Sequence, residues 1–509
     1  MTRDAGSSAA LWSSFQQRTR SLATRGAIST NSGEITFEDL YAVSDRFAVS
    51  LTQAGVREGS VVALALPNSL SFVPAALALM RLSCVIGLVS PNYRASELKS
   101  ITRGVRPHGF LIAAPLGEAL DRSIVGDGAR AVDLTLVGDE LGLVFPSGPA
   151  SPPSTVSDTG SVSRVHPDAV LLKFTSGSTG IPKGIVWTAA NVLAEAQNVV
   201  ATLELTPDDR LVTAVPIVHS YGFDLGVLPL LLEGSQLVLR DQFVPRRVVA
   251  DLSSKDTTVF LGVPSMYRLL LQTRMASKPD LSHLRYLLSG TAHLSADFIN
   301  EFHDRFAVPI CQHYGSSETG AATNHVPSEV LTRPGSVGLP MRNVELEIVD
   351  EAGRSLPAGK EGEVVVRSGA VSKGYIMGEP EGRAVLQDGA FWTGDLGIID
   401  ESGYLTVTGR KDQVINVGGL KVSPYEVAHV LESFPAVREA AVVGVTDTIG
   451  GSVVYAAVSL DSPATEQEIL TYCRQHLADY KIPRRIDVMT ELPRGPSGKI
   501  QLRAADIVL

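Results

Sequence analysis

The residues best suited to chemistry lie in a glycine-rich segment in the first half of the chain. Residues 174–184 read FTSGSTGIPKG and directly follow the apolar run AVLLK. Glycine lets backbone N–H groups approach phosphate oxygens, while hydroxyl groups add donors and a lysine adds positive charge. The segment therefore predicts a loop that binds a polyphosphate. Its candidate binding residues are Thr175, Ser176, Gly177, Ser178, Thr179, Gly180 and Lys183.

This loop is not of the Walker type. The pattern GxxxxGK[ST] places a lysine directly after its second glycine, whereas Gly180 is followed here by Ile-Pro-Lys. A nucleotide chemistry other than Walker-type phosphoryl transfer is therefore indicated. A plain flexible surface loop is the alternative, since Gly/Ser tracts are often linkers. The specificity of the string argues against that alternative.

Alternating strands and helices are predicted on both sides of the loop. Thr36 and Asp39 form a capping pair for an amphipathic helix that ends at Gly55. The runs VVALALPN and CVIGLVS flank an apolar helix at about residues 70–82, which predicts a parallel sheet. From about residue 340 the runs VELEIVD, GEVVVRS and YLTVTGR alternate in polarity and predict antiparallel strands.

The last hundred or so residues have a different texture. After Gly409 and Arg410 the order strand, helix, strand, strand, helix is predicted, with Thr465 capping a helix that runs through Ala478. This order indicates a small separate α+β domain. The Ser/Pro/Gly-rich stretch between Phe145 and Val165 predicts an exposed, mobile connection.

Composition limits the classes of function. The 509 residues exceed what one hydrophobic core usually organises, so several domains are expected. The formal net charge of -10 gives no broad electrostatic reason to bind nucleic acid or an anionic membrane. Cys84, Cys311 and Cys473 are widely spaced and predict neither a disulfide framework nor a zinc site. The sequence begins without an apolar segment suited to a signal peptide, which predicts a cytoplasmic protein.

Segments along the whole chain resemble the ordered motifs of the adenylate-forming superfamily, which comprises acyl-CoA synthetases, carrier-protein adenylation domains and luciferases. Besides TSGSTGIPKG, the segments are GVREGSVVALALPNS, SPNYRASEL, PIVHSYG, LSGTAHLS, YGSSETG, GEVVVRSGAVSKGY, WTGDLG, GRKDQVINVGGLKVSPYEVA and PRGPSGK. The resemblance implies an α/β multidomain fold. Residues 1–409 would form a large N-terminal domain of α/β subdomains plus a β-barrel, and residues 410–509 a small mobile α+β domain.

The resemblance assigns the chemistry to residues from both domains. Lys499, in PSGK, matches the catalytic lysine that bridges the substrate carboxylate and the α-phosphate. Glu318, in YGSSE, matches the Mg²⁺ ligand, and a carboxylate suits that hard cation. Thr175 joins these two as a catalytic residue. The implied cofactors are ATP, Mg²⁺ and CoA.

The resemblance also implies a nucleotide site and an acid site. Tyr314 would offer an aromatic face to adenine, and the Asp395 carboxylate would accept hydrogen bonds from both ribose hydroxyls. Arg410 would contact ribose or phosphate, and the torsions of Asp412 would turn the lid between half-reactions. His219 resembles an aromatic gate beside the acyl pocket. The other implied residues are Gly290, Thr291, Ala292 and Ser317 at the nucleotide, Gly419 and Lys421 at the pantetheine arm, and Tyr221, Ala321 and Ala322 at the acid.

Several positions depart from the superfamily's patterns. Amino-acid-activating relatives carry an acidic residue where gap-free counting back from Gly234 places Tyr221, so an α-amino acid is not expected. An apolar pocket for an aryl or a short or medium aliphatic acid is expected instead. Thr291 and His293 replace a small residue and a proline, and His313 stands where many CoA ligases carry glycine.

The expected reaction is ATP-dependent conversion of a carboxylic acid to an acyl-adenylate, with release of pyrophosphate and transfer of the acyl group to CoA. An alternative keeps the first step but passes the acyl group to a carrier-protein phosphopantetheine or to an amine. A third alternative is a catalytically silent nucleotide-binding protein, against which Lys183, Glu318, Asp395, Arg410 and Lys499 argue together. The identity of the acid and the oligomeric state, with a homodimer among the options, stay open.

Overall fold

The computed structural model describes residues 8–113, 122–126, 129–146, 166–176, 182–275, 277–377, 385–387, 389–417, 420–446 and 452–494, and the single residues 500, 502, 504 and 507. The predicted mobile connection lies almost entirely outside these residues. None of the helices in these ranges is long and apolar enough to cross a bilayer.

The helices and strands are numbered along the described part of the chain. The helices are α1 Ser8–Thr19, α2 Phe37–Ala54, α3 Phe72–Arg81, α4 Ala95–Val105, α5 Arg122–Val125, α6 Ala189–Leu203, α7 Ser220–Gly222, α8 Leu228–Leu232, α9 Pro245–Ser253, α10 Pro264–Gln272, α11 Ala296–Phe306, α12 Pro424–Glu432 and α13 Glu466–His476. A π-helical segment, Phe223–Val227, joins α7 to α8.

The strands up to the end of the first large sheet are β1 Gly26–Ser29, β2 Glu34–Thr36, β3 Val61–Ala65, β4 Val85–Leu88, β5 Gly109–Ala113, β6 Arg130–Leu136, β7 Asp139–Phe145, β8 Ala169–Ser176, β9 Pro182–Thr188, β10 Arg210–Thr213, β11 Gln236–Leu239, β12 Val259–Gly262, β13 Tyr286–Ser289, β14 Ile310–Ser316, β15 Gly320–Asn324 and β16 Leu339–Pro340. The later strands are β17 Val344–Val349, β18 Gly362–Ser368, β19 Tyr375–Met377, β20 Val385–Gln387, β21 Ala390–Ile399, β22 Leu405–Arg410, β23 Ile415–Val417, β24 Leu420–Val422, β25 Val437–Thr446, β26 Ser452–Leu460 and β27 Arg485–Met489.

Two large mixed sheets dominate the N-terminal part. The first has the order β16-β15-β14-β13-β12-β10-β11-β1-β2, and the second β19-β9-β8-β4-β3-β5-β7-β6. Their central strands are parallel, as in β10 with β12 and β3 with β4. A third sheet of antiparallel strands, β17-β18-β21-β20 with β22 beside β21, occupies the place where the sequence predicts the β-barrel. The α/β multidomain fold class is therefore confirmed.

The local sequence explains both ends of α2, the long helix near the start of the chain. Thr36 Oγ1 accepts a hydrogen bond of 3.1 Å from the Asp39 backbone N–H, and Thr36 N–H donates to Asp39 Oδ2 at 3.3 Å. At the other end Gly55 has a φ of 115° and closes the helix in the left-handed region. The capping pair and the glycine stop therefore fix α2 where the sequence predicts it.

The C-terminal domain contains a hairpin of β23 and β24, the helices α12 and α13, and a sheet of β25, β26 and β27. The sequence prediction omitted β27, which pairs in parallel with β26. Its prediction that the second helix runs through Ala478 was wrong, because α13 ends at His476 and Leu477 is already extended, with φ -123° and ψ 149°. The domain has its own apolar core, centred on residues such as Val427 and Ile469.

Candidate active site

Two antiparallel strands hold the ends of the glycine-rich loop. Thr175 in β8 lies opposite Lys183 in β9, and Ser176 lies opposite Pro182. Lys183 is 7 % exposed. The hairpin therefore brings the lysine and the first hydroxyl residue to the same end of the loop. The predicted site residues that lie outside the described ranges are Gly177, Ser178, Thr179, Gly180, Gly419 and Lys499.

Asp395 is the centre of the contacts expected on the nucleotide side. It lies in β21, paired across the strands with Arg410 of β22. Tyr314 Oη donates a hydrogen bond of 2.7 Å to Asp395 Oδ2, and Arg410 Nε lies 3.6 Å from Asp395 Oδ1. Burial, followed by the Asp395 carboxylate, raises the pKa of Tyr314 well above its usual value. The phenol therefore stays protonated and keeps the carboxylate oriented.

The predicted hinge residue, Asp412, directly follows a residue, Lys411, that is anchored to the third sheet. Lys411 N–H donates 2.8 Å to the Gly394 carbonyl, and the Lys411 ammonium pairs with Glu363. The next residue, Asp412, accepts a hydrogen bond of 3.2 Å from Arg410 Nε. Arg410 thus touches both the candidate ribose ligand and the candidate hinge.

Glu318 lies on the turn between β14 and β15, and its carboxylate has a fixed orientation. Tyr375 Oη donates 2.8 Å to Glu318 Oε1, and the backbone N–H of Glu318 donates 3.2 Å to Ser316 Oγ. Within the described ranges no group of three or more His, Cys, Asp or Glu side chains could hold a metal ion. Mg²⁺ is usually bound by one or two carboxylates together with substrate phosphates. Glu318 therefore fits Mg²⁺ that arrives with a polyphosphate.

Tyr221 and His313 form one wall of the expected acid pocket, with ring centroids 5.6 Å apart. A β-carbon at Gly290 would lie 2.6 Å from the Tyr221 ring, so only glycine leaves room for it. Burial lowers the pKa of His313 to about 4, and the imidazole is therefore neutral at pH 7. Among the described residues, neither Tyr221 Oη nor His313 Nδ1 has a hydrogen-bond partner. The pair is uncharged, and these two polar atoms are buried without a protein partner among the described residues.

The remaining acid-site residues come from neighbouring elements. Ala321 and Ala322 of β15 are 3 % and 0 % exposed. His219 directly precedes α7, which carries Tyr221. Ser220 Oγ and Ser317 Oγ share a hydrogen bond of 2.7 Å. This bond joins the acid side of the site to the turn that carries Glu318.

Three further predicted residues lie in the bend after β13 and in the β23–β24 hairpin. Thr291 is a non-glycine residue with a φ of 74°, and Ala292 after it is exposed. Lys421 lies in the β23–β24 hairpin and pairs with Glu351 at 3.8 Å, where both side chains are exposed. In this arrangement the Lys421 ammonium lies beside the turn after β17.

A cluster of charges joins the two domains. Arg268 of α10 donates 2.6 Å from Nη1 to Glu439 of β25, and its Nη2 lies 3.8 Å from Glu432 of α12. Arg494 donates to both oxygens of the same Glu439 at 2.6 Å. The side chains of Arg268 and Glu439 are only 14 % and 7 % exposed. We call these four residues the interdomain clasp.

Sequence reasoning missed several of these residues. Tyr375, the Glu318 partner, and Ser220, the Ser317 partner, both lie in motifs that the sequence already singled out. Their place in those motifs is the signal that could have found them. Arg268 carries no comparable signal, because its partners are 164 and 171 residues further along the chain.

The sequence and the fold are similar to known proteins. The profile of the AMP-binding enzyme family matches residues 15–376, and that of the AMP-binding enzyme C-terminal domain matches residues 426–499. A probable CoA ligase, CCL9, of Humulus lupulus is 32 % identical over 483 residues, covering 93 % of this chain and 91 % of its own.

Two solved structures are similar over nearly the whole fold. ATP-bound MatB from Rhodopseudomonas palustris has a TM-score of 0.83 at 27 % identity and covers 97 % of each chain. The amide bond synthetase McbA from Marinactinospora thermotolerans has a TM-score of 0.82 at 25 % identity and covers 98 % of this chain and 99 % of its own. The chain therefore belongs to the AMP-binding enzymes, the adenylate-forming superfamily with its acyl-CoA ligases, and its enzyme class is that of the AMP-forming acid–thiol ligases.

Proposed function

We propose that the protein activates an aryl or a short or medium aliphatic carboxylic acid with ATP and then transfers the acyl group to CoA. The observation that carries this proposal is the contact series from Tyr314 through Asp395 and Arg410 to Asp412. It links a carboxylate suited to ribose hydroxyls with the residue at which the lid would turn. We further propose that the N-terminal domain ends at residue 409 and that residues 410–509 form the lid.

In the first half-reaction the substrate carboxylate attacks the α-phosphorus of ATP, the bond to the β-phosphate oxygen breaks, and pyrophosphate leaves. Lys183 and the hydroxyl of Thr175 would hold the polyphosphate at the β8–β9 hairpin. Lys499 would lie between the carboxylate and the α-phosphate, where negative charge accumulates. Mg²⁺ held by Glu318 would supply charge neutralisation of the phosphates. In the second half-reaction the CoA thiolate attacks the acyl carbon, and AMP leaves.

The uncharged wall supports the proposed class of acid. Burial keeps His313 neutral at pH 7, so it brings no positive charge of its own to a second carboxylate at the far end of the substrate. Ala321 and Ala322 add an apolar surface from β15. An aryl or aliphatic acid without a distal charge therefore fits these residues, and a hydroxyl or carbonyl group could bond Tyr221 Oη or His313 Nδ1.

The experiment is pyrophosphate release from ATP and Mg²⁺ across a panel of aryl, short-chain and medium-chain acids, with and without CoA. We expect release that depends on the acid, with the matching acyl-CoA formed when CoA is present. Acid-dependent release without CoA consumption would contradict the proposed acceptor. No release with any acid would contradict the reaction itself.

A second acceptor is favoured by one observation, the similarity over the whole fold to an amide bond synthetase. In that case an amine nitrogen would attack the acyl carbon of the same acyl-adenylate, and AMP would again leave. The panel is therefore repeated with simple amines in place of CoA. Amide formed faster than acyl-CoA would favour this acceptor.

Replacing His313 with glycine is expected to widen the acid pocket. The partly buried imidazole packs against Tyr221, and its removal leaves room for several carbon atoms. Because each buried CH₂ contributes about 0.8 kcal/mol, we expect the ratio of kcat/KM for a longer acid to that for a shorter one to rise roughly tenfold. Phe434→Ala, a change at an aromatic residue of the C-terminal domain that packs against Tyr472, serves as the control. An unchanged ratio in His313→Gly would contradict the assignment of the pocket.

Replacing Arg268 with alanine is expected to affect the two half-reactions unequally. Arg268 lies in the N-terminal domain and its clasp partners in the other, so turning the lid must separate them. Loss of a charged hydrogen bond of about 1.5 kcal/mol should slow ATP–pyrophosphate exchange roughly tenfold. Acyl transfer from preformed acyl-adenylate should be unchanged or faster.

The control for this prediction is Arg333→Ala, because Arg333 pairs with Glu329 and Asp400 inside the N-terminal domain. Arg268→Lys, which keeps the charge, should recover part of the exchange rate. Equal slowing of both half-reactions in Arg268→Ala would mean that the clasp does not favour one lid orientation.

A further inference from the structure

Three ionisable side chains meet in the interior behind the active site. Lys173, Asp224 and Glu195 are 2 %, 3 % and 0 % exposed. Lys173 Nζ donates 2.8 Å to Asp224 Oδ1 and 2.7 Å to Asp224 Oδ2, and it lies 3.2 Å from the centre of the Trp187 ring. A buried ion pair is often no more stable than apolar residues of the same volume. Stability alone therefore does not account for this cluster.

Glu195 is the third member, and it supports the acid pocket directly. Glu195 Oε1 accepts a hydrogen bond of 2.8 Å from the Ala321 backbone N–H. The other oxygen, Oε2, has no hydrogen-bond partner among the described residues. Gly320, with a φ of 70°, packs so closely on this carboxyl group that any side chain there would collide with it. The start of β15 therefore packs directly against the Glu195 carboxyl group.

Two members lie on elements that carry predicted site residues, and the third, Glu195, bonds the backbone of one. Lys173 precedes Thr175 by two positions in β8, and Asp224 follows Tyr221 by three in the continuous helical segment from α7. Trp187, under the lysine, donates 2.9 Å from Nε1 to the carbonyl of Ser317. The cluster thus connects the strand of the phosphate loop, the helix of the acid pocket and the turn before β15.

The charges in the cluster balance only when Glu195 is uncharged. Burial is the largest effect on the pKa of Glu195 and the charge of Asp224 is the second, and together they raise this pKa to about 8. Lys173 and the Ala321 amide act in the opposite direction. Asp224 faces Glu195 from the π-helical segment and Lys173 from β8. Of the other elements packed against α6, β15 and α8 carry no ionisable side chain, whereas β9 carries Lys183 and α1 carries Arg18. At neutral pH the cluster therefore contains one cation, one anion and one neutral carboxyl group.

We propose that Lys173, Asp224 and Glu195 are positioning residues that hold β15 and the turn before it in place for the acid substrate, and that they do so only with Glu195 in its uncharged form. Ionised Glu195 would bury an unpaired charge beside the Ala321 amide. A buried unpaired charge is relieved by water entry or by movement of the group. Either response displaces the pocket wall, and the added negative charge also opposes binding of a carboxylate.

The test is the pH dependence of ATP–pyrophosphate exchange, measured without CoA so that no substrate thiol titrates. In the wild type we expect kcat/KM for the acid to fall roughly tenfold per pH unit above about pH 8, through KM for the acid rather than KM for ATP. Glu195→Gln keeps an oxygen for the Ala321 amide but cannot ionise, so this fall should disappear while activity at pH 7 is kept. Glu233→Gln, a change at a carboxyl group directly after α8 whose pKa burial also raises, should keep the wild-type profile.

A second measurement covers the case in which Glu195→Gln loses activity at every pH. A carboxyl group whose pKa is raised from 4.5 to about 8 in the folded state binds a proton there that the unfolded chain has released. The wild type should therefore lose stability relative to Glu195→Gln as the pH rises through this window, with a constant difference above it. The same alkaline fall in both proteins, or a difference in melting temperature that does not change with pH, would overturn the proposal.

Discussion

Alanine at Lys499 is expected to lower acid-dependent pyrophosphate release about 100- to 1,000-fold, the usual effect of losing one preorganised donor to a developing charge. The chain on either side is held in place, because Arg494 and Ile500 form a β-bridge and Arg494 belongs to the interdomain clasp. Transfer from preformed acyl-adenylate to CoA should be much less affected, since that step needs no new bond at phosphorus.

Lys481→Ala is the matched control, since Lys481 lies in the same domain and pairs with Glu426 of α12 at 2.5 Å. Loss of the Lys481 side chain should leave the rates of both half-reactions within about twofold of the wild type, as expected for a partly exposed ion pair. Equal activity of Lys499→Ala and Lys481→Ala in pyrophosphate release would remove Lys499 from the mechanism. Circular dichroism of both variants checks that the domain still folds.

The second large effect is expected for Asp395→Ala, in the affinity for ATP. The variant loses the proposed acceptor for both ribose hydroxyls and leaves the part-buried Tyr314 hydroxyl without its partner at 2.7 Å. Two lost hydrogen bonds to a charged group, at about 1.5 kcal/mol each, correspond to roughly a 100-fold lower kcat/KM for ATP. The change should be seen in steady-state kinetics at saturating acid. Asp395→Asn, which keeps an oxygen toward Tyr314, should lose less.

Asp400→Ala provides the comparison on the same strand pair. Asp400 follows β21, accepts hydrogen bonds from the turn residues Ser402 and Tyr404, and lies 3.4 Å from Arg333. The Asp400→Ala variant should have a lower melting temperature than the wild type and an unchanged KM for ATP. A similar rise in KM for both variants would mean that the third sheet, rather than the Asp395 carboxylate, determines nucleotide affinity.

Local signals predicted the elements that local contacts determine. The capping pair of Thr36 and Asp39 lies three residues apart, and that of Thr465 and Glu468 has the same spacing. Both are visible in the sequence because each cap is complete within one turn of helix. The strand β27 was missed because RIDVM mixes charged and apolar residues and its partner β26 lies far away in sequence. Non-local pairing of this kind leaves little local pattern.

The same distinction applies to the candidate site. Thr175, Lys183, Tyr314, Asp395 and Arg410 lie in motifs, so a resemblance could point to them before any coordinates were known. The Tyr314–Asp395 contact, in contrast, depends on how strands from two different sheets meet. The buried Lys173 had a usable signal, since a lysine inside the apolar run AVLLKF requires a partner in the core. The sequence could not name that partner, because Asp224 lies 51 residues away.

The three cysteines, noted above only for their spacing, have a practical consequence. Cys84, Cys311 and Cys473 are all buried free thiols, and burial raises the pKa of Cys84 to about 12 and that of Cys473 to about 11. Because only thiolates react quickly with thiol reagents, the thiols of the folded protein should react very slowly with such reagents. Disappearance of the CoA thiol can therefore be measured by adding a chromogenic thiol reagent to timed samples that still contain the enzyme. A slow additional reaction of protein thiols in those samples would report unfolding of the enzyme itself.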